Sequence, residues 1–208
     1  MAEAKPGQIK AASFEPWQKA KKQQPVYTKD RFRTSRKSRL KVLFSDNSLM
    51  ALGPGSEMSV KAYRHEPKSK LRQGVIKIKR GLSMYIVNKS QNNKKSFFTM
   101  VTPTGNIGAR GTQGYIATSD TWTLVANQAG AVATKSIVTN IKAIQVAVPM
   151  MKNMINKGQP PSPPTELSKL DLIRVVGKRE PVRIYELLGK KGKVDETTKQ
   201  ILSIFNEG

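Results

Sequence analysis

The chain has 208 residues, of which 37 are Lys or Arg and 14 are Asp or Glu, so its formal net charge at pH 7 is +23. It has no cysteine and one histidine, which excludes a disulfide scaffold, a cysteine nucleophile and metal sites built from several thiolates or imidazoles. No run of about 18 apolar residues is present, so the sequence predicts no transmembrane helix. A basic balance this large favours an anionic partner, which is a protein, an anionic polymer or membrane surface, or nucleic acid.

The positive charge is concentrated in one block of the chain. Residues 61–95 hold eleven Lys or Arg and a single acidic residue, whereas residues 96–134 carry one charge of each sign. We therefore expect the contact surface for an anionic partner in the first of these blocks. The predicted binding residues are Lys61, Arg64, Lys68, Lys70, Arg72, Lys77, Lys79 and Arg80.

Short apolar stretches repeat with the period of β-strands over most of the chain. Met58, Val60 and Ala62 alternate with polar neighbours, and residues 75–80 alternate in the same way. Similar stretches recur between turn-forming Gly, Pro, Asn and Asp. The sequence predicts an all-β domain of stacked short strands over residues 27–157, with a solenoid, sandwich or barrel arrangement.

The segments on either side of this domain differ from it in composition. Residues 1–26 are a basic N-terminal segment that could contribute the first strands, and the prolines of residues 158–168 predict an extended linker. Residues 169–208 carry two apolar runs, the first at residues 170–176, which predict a β-hairpin. An acidic segment after them predicts a short helix.

Three motifs stand in order along the chain. Residues 44–56 consist of Phe, Ser, Asp, Asn and Ser, then an apolar run and a turn that ends in Ser. Residues 75–81 are a strand that ends at Gly, and residues 101–112 contain a Thr-Pro pair before Arg-Gly-Thr. Together the motifs resemble the FecR-domain family over roughly residues 5–165. The motif positions are Phe44, Asp46, Ser48, Ser56, Gly81, Thr102, Pro103, Gly108, Arg110, Gly111 and Thr112.

The chemistry of these residues favours structural roles. Asp46 is expected to accept backbone N–H bonds within its turn, and Asn47, where the family usually has Gly, tolerates a positive φ. Arg110 is expected to cap backbone carbonyls, with binding of an anionic group as the alternative. His65 is predicted in an exposed polar turn without a catalytic role, and Trp122 is predicted in the core.

The FecR resemblance implies a non-enzymatic binding or scaffold domain in bacterial envelope signalling, with a protein partner and no cofactor or metal. In the best-known members the domain is exported to the periplasm and relays a signal between an outer-membrane receptor and a membrane-bound anti-sigma factor. Residues 1–26 contain five lysines and no apolar core, so they predict no secretory signal peptide, and a cytoplasmic location stays open. The sequence defines no oligomeric state.

Two other functions stay open. A nucleic-acid-binding protein could use the same basic surface, although no helix-turn-helix or other nucleic-acid motif accompanies the charge. About the last forty residues resemble the terminal hairpin of class III adenylate/guanylate cyclases, which suggests a cyclase-associated regulatory fragment. The metal-binding aspartates of that family have no counterpart here, so cyclase activity is not expected.

Overall fold

The computed structural model describes residues 2–5, 17–89 and 93–168, with the backbone alone for residues 2–5, and all regular structure in them is β-strand. This confirms the all-β prediction, whereas the predicted hairpin and helix of residues 169–208 lie outside the described residues. The described part contains no helix long and apolar enough to cross a membrane. The strands are β1 Ala2–Lys5, β2 Gln18–Lys19, β3 Arg31–Thr34, β4 Leu40–Leu43, β5 Leu49–Leu52, β6 Glu57–Glu66, β7 Leu71–Val87, β8 Phe97–Val101, β9 Gly105–Thr118, β10 Trp122–Ser136, β11 Ile144–Ala147, β12 Met151–Asn156 and β13 Thr165–Glu166.

The strands form one mixed sheet in the order β13-β12-β10-β9-β8-β7-β6-β3-β1-β2, with β7 also paired to β9. β11 pairs with β10, and the β4–β5 hairpin pairs with β7 through β5. All these pairings are antiparallel except that of β7 with β8. Several of the predicted short strands are therefore parts of long ones. β7 has 17 residues and continues through Gly81, where the sequence predicted its end.

The three long strands bend at glycines with positive φ, a conformation that side chains with a Cβ rarely adopt. These are Gly81 in β7 (92°), Gly111 in β9 (63°) and Gly130 in β10 (71°). β7 pairs with β6 and β8 before its bend and with β5 and β9 after it. One core cluster contains residues from both halves of each long strand, so the two halves of the bent sheet pack face to face. Examples are Ile76 with Tyr85, Ile107 with Ile116, and Val125 with Val132.

The segment predicted as a linker remains in contact with the sheet. Within it, β13 pairs with β12, and Leu167 is buried. The Leu167 N–H donates to the Met150 carbonyl at 3.0 Å. The prolines thus connect two neighbouring strands of the same sheet. The domain boundaries predicted at residues 27 and 157 stay predictions.

Candidate binding surface

A group of cations lies on the outer face of β3, β6 and β7. In β7, Ile76 and Ile78 are buried whereas Lys77 and Lys79 are exposed, and β3 alternates in the same way around the buried Phe32. Because successive side chains of a strand point to opposite faces, the apolar residues fill the core and the cations face outwards. The residues named here the basic face are Arg31, Arg33, Lys61, Lys77, Lys79 and Arg80.

The carboxylate of Glu57 lies among three cations of the basic face. The side chain of Glu57 is 9% exposed, and its Oε1 lies 3.2 Å from Arg31 Nη2 and 3.6 Å from Lys79 Nζ. Its Oε2 lies 3.6 Å from Arg80 Nη2. Among the side chains that the structure describes on this face, six cations accompany the Glu57 carboxylate, so their positive charge is compensated only in part there.

An aromatic ring holds the two arginines of β3. The guanidinium carbon of Arg33 lies 4.4 Å from the centroid of the Trp17 ring, and that of Arg31 lies 5.2 Å from it. These cation–π contacts fix the direction of both side chains. The alternation Arg31-Phe32-Arg33-Thr34 is the sequence signal that could have placed both arginines on one face. Nothing in the sequence indicates the contacts of Trp17 or Glu57, which depend on the fold.

The predicted binding residues divide into three groups in the structure. Lys61, Lys77, Lys79 and Arg80 belong to the basic face, and Arg64, Lys68 and Lys70 are exposed around the β6–β7 turn. Arg72 is 2% exposed, so its prediction as an exposed binding residue is wrong. In β7 it shares the parity of the buried Ile76 and Ile78, which places its side chain on the core face of the sheet.

The buried Arg72 is bound by the turn that follows Phe44. Its Nη1 donates to Asp46 Oδ2 at 2.9 Å and to the Asn88 carbonyl at 2.6 Å. Asp46 also accepts the Ser48 N–H at 3.0 Å and the Ser48 hydroxyl at 2.6 Å. The Asx turn expected at Asp46 is therefore present, and Asn47 has the positive φ expected of it, 62°.

The hydrogen bonds keep Asp46 charged despite its burial. Burial alone would raise the pKa of Asp46, but hydrogen bonds from Ser48, Arg72 and Tyr63 outweigh it and lower the pKa below its usual value. Burial, together with the hydrogen bond to Asp46, raises the pKa of Tyr63 to about 12. At neutral pH the cluster is thus a carboxylate bound by a guanidinium, a hydroxyl and a phenol.

A shallow cleft of about 250 Å³ borders this cluster and is lined by Asp46, His65, Lys70, Arg72 and Lys89, among others. His65 lies half-buried near the end of β6, with Nδ1 3.1 Å from Ser45 Oγ, so its prediction in an exposed turn is wrong. The carboxylate in the cleft is already occupied by Arg72. Across residues 17–89 and 93–168, no three His, Asp or Glu side chains are grouped to hold a metal ion.

Ser56 and Gly81 of the motifs meet at the bend of β7. The Ser56 hydroxyl donates to the Leu82 carbonyl at 2.9 Å and accepts the Leu82 N–H at 3.0 Å. The Ser56 N–H donates to Thr34 Oγ1 at 2.9 Å. A Cβ on Gly81 would lie 2.6 Å from Ser56 Cα, so only glycine fits at this bend.

Other motif residues form hydrogen bonds in the turn between β8 and β9, at Pro103. Thr102 Oγ1 donates to the Gly105 carbonyl at 2.9 Å and accepts the Gly105 N–H at 3.0 Å. The Thr123 hydroxyl donates to Thr102 Oγ1 at 2.9 Å and joins β10 to the turn. Of the other motif residues, Phe44, Ser48 and Thr112 are buried, and Gly108 and Gly111 lie within β9.

Two other side chains that the sequence analysis singled out are exposed. Arg110 is exposed on β9, and its expected capping of backbone carbonyls stays a prediction. Trp122 is 38% exposed at the start of β10, so its prediction in the core is wrong.

The sequence model of the FecR protein family matches residues 30–133, which is half of the chain. The chain belongs to the FecR family. The match includes β3, β6 and β7, which carry all six cations of the basic face, and the turn of Asp46. It ends before the C-terminal residues that resemble cyclases, and no comparison supports that second resemblance.

Two solved structures from Parabacteroides distasonis, both reported as candidate anti-sigma factors, resemble this FecR protein in fold. The first, at 2.50 Å resolution, is 14% identical with a TM-score of 0.52 over 69% of this chain and 63% of the other. The second, at 1.65 Å resolution, is 12% identical with a TM-score of 0.51 over 85% of this chain and 74% of the other. The chain therefore spans less than two thirds of the first structure. Among curated proteins, none matches the chain.

Proposed function

We propose that this FecR domain is a non-enzymatic binding module of an envelope signalling regulator, and that its basic face docks on an acidic surface of a protein partner. The observation that carries the proposal is the group of six cations on one side of the sheet, three of which lie within 3.6 Å of Glu57. Family membership supports the signalling role and the envelope location, since members are usually exported.

The pattern of the basic face favours a protein over nucleic acid. Glu57 lies at the centre of the face, and a uniformly anionic phosphate backbone does not complement a carboxylate there. Trp17 immobilises Arg31 and Arg33, which lowers the side-chain entropy lost when they bind. An acidic protein surface that includes a hydrogen-bond donor opposite Glu57 would complement all of these groups.

A non-enzymatic role agrees with the cleft beside Arg72. A general base needs a free lone pair and a proton to accept, but the Asp46 oxygens are bound by Arg72, Ser48 and Tyr63. The histidine at the same cleft contacts a serine hydroxyl, and the carboxylate that would orient it as a base is held by the guanidinium.

Photo-crosslinking in cells tests the proposal. A photoreactive residue at Lys77 should capture a protein partner through an acidic segment, and the K79E variant should abolish the adduct. The matched control carries the photoreactive residue at Lys157, which is exposed in the turn after β12. Recovery of nucleic acid at position 77 would favour the alternative function, and equal adducts at both positions would contradict a specific face.

A salt series separates the two functions in solution. If the basic face bound nucleic acid through six phosphate contacts, its affinity for duplex DNA would fall by about 10³-fold or more between 50 and 200 mM salt. We expect DNA binding to be weak at both salt concentrations and equal for the parent chain and K77E/K79E. DNA binding that is tight at low salt and lost in K77E/K79E would favour the nucleic-acid function.

A further inference from the structure

The edge strand β11 exposes an apolar surface. Ile144 is 59% exposed and Val146 and Val148 are each 51% exposed, on an otherwise strongly basic chain. Within the described residues β11 pairs with β10 alone, so the backbone along its other edge has no strand partner there. An unprotected apolar edge favours addition of another strand.

The path of the chain indicates which strand is available. β12 and β11 lie one after the other along the same side of β10, with Met151 opposite Asn127 and Ala147 opposite Val132. β13 runs antiparallel to β12, with Glu166 opposite Met151. Leu167, the next residue after β13, donates its N–H to the Met150 carbonyl, so the described chain leaves β13 in the direction of β11.

We propose that residues 170–176, with the sequence Leu-Asp-Leu-Ile-Arg-Val-Val, add an antiparallel strand to the free edge of β11. The Leu167 N–H donates to the Met150 carbonyl. Leu170 follows Leu167 by three residues, and Ala147, the last residue of β11, precedes Met150 by three residues. An extended chain covers that distance of about 10 Å without a loop. The segment is rich in β-branched residues and carries one charge of each sign, so it suits a partly buried strand.

Burial of the exposed side chains supplies the driving force. A strand laid along β11 would cover Ile144, Val146 and Val148, and it would satisfy the backbone groups of the edge. The other occupant of such an edge is a second copy of this chain. The direct run of β13 towards the edge favours the segment in the same chain, because no association entropy is lost.

Paired cysteines test the proposal in the full chain, which contains no cysteine of its own. One cysteine replaces Val146, and the second replaces each residue from 170 to 175 in turn. Under mild oxidation, disulfides within one chain should form mainly at alternate positions, because side chains of a strand alternate between faces. The control places the first cysteine at Leu43, which is 65% exposed on β4 and should form none of these bonds.

Four results would overturn the proposal. Disulfides between chains would show that a second copy covers the edge, and equal crosslinking from V146C and L43C would show an unspecific contact. Absence of crosslinks at every position would show that the segment lies elsewhere. Hydrogen exchange gives a readout without cysteines: ending the chain at residue 168 should speed exchange of β11 amides at least about tenfold, and unchanged exchange would refute the pairing.

Discussion

Two acidic side chains bind cations of β7, Asp46 on the core face of the sheet and Glu57 on its outer face, and their roles differ. Glu57 faces outwards among Arg31, Lys79 and Arg80, whose side chains are 48%, 57% and 63% exposed. Asp46 binds Arg72, which is 3% exposed at its side chain. Exposed ion pairs contribute about 0–1 kcal/mol, whereas breaking a buried pair costs about 3–5 kcal/mol. The inner pair therefore serves the fold, and the outer cations are those that we propose to bind a partner.

Removal of the inner cation should have the largest effect. R72A leaves the Asp46 carboxylate buried without its guanidinium, so we expect a loss of about 3–5 kcal/mol in the free energy of unfolding, measured by urea denaturation. The double variant D46A/R72M should lose less than the sum of the single changes, because no charge stays unpaired. An R72A loss below about 1 kcal/mol would contradict a structural role.

The bend of β7 can be broken separately from these charges. G81A introduces a Cβ against Ser56 at a φ of 92°, and it should cost about 2–4 kcal/mol. The matched control is G55A, which has a φ of 66° but an open space around the added Cβ, and it should cost about 1–2 kcal/mol. Equal losses in the two variants, again from urea denaturation, would show that contact with Ser56 is unimportant.

Acid should weaken the inner pair, because it protonates the Asp46 carboxylate that binds Arg72. The pKa of Asp46 is lowered in the folded chain, so its stabilisation is complete above the unfolded-state pKa of about 3.9. It is lost as the pH falls from there through the folded-state pKa. We expect D46N to flatten this part of the stability profile, followed by thermal unfolding between about pH 2 and 6. A D46N profile parallel to that of the parent chain would contradict the assignment.

Changes on the outer face should affect stability least. K77A/K79A removes two exposed cations, one of which lies 3.6 Å from Glu57, and we expect the free energy of unfolding to change by no more than about 0.5 kcal/mol. Chemical denaturation of this variant beside R72A measures the difference between the two faces directly. A loss comparable to that of R72A would remove the distinction between them.

Many of the strands can be predicted from the alternation of apolar and polar residues, but the contacts between distant segments cannot. The parity of Arg72 with Ile76 and Ile78 already indicates a place in the core. Its partner Asp46 is 26 residues away in a turn, and no local pattern joins the two. Register shifts between Glu57 and Met58 and between Val60 and Ala62 further break the alternation of β6, so the sequence alone does not define which cations share a face.

The sequence also does not predict that the long strands bend at glycines. Gly81 fits the end of a strand as well as a bend within one, and only its contact with Ser56 and the pairing of Leu82 and Ser83 beyond it distinguish the two. The Asp46 turn could be predicted because its hydrogen bonds are local. The basic face could be predicted in part, since Lys77 and Lys79 alternate with core residues, while the roles of Trp17 and Glu57 depend on contacts between distant segments.

The division of work between the two faces is tested most directly by measuring urea unfolding and partner crosslinking together for K77E/K79E, with the photoreactive residue at Lys61. We predict that the unfolding midpoint stays at that of the parent chain while the crosslinked partner is lost. Retained crosslinking, or a fall in midpoint as large as that caused by R72A, would contradict a docking role for the basic face.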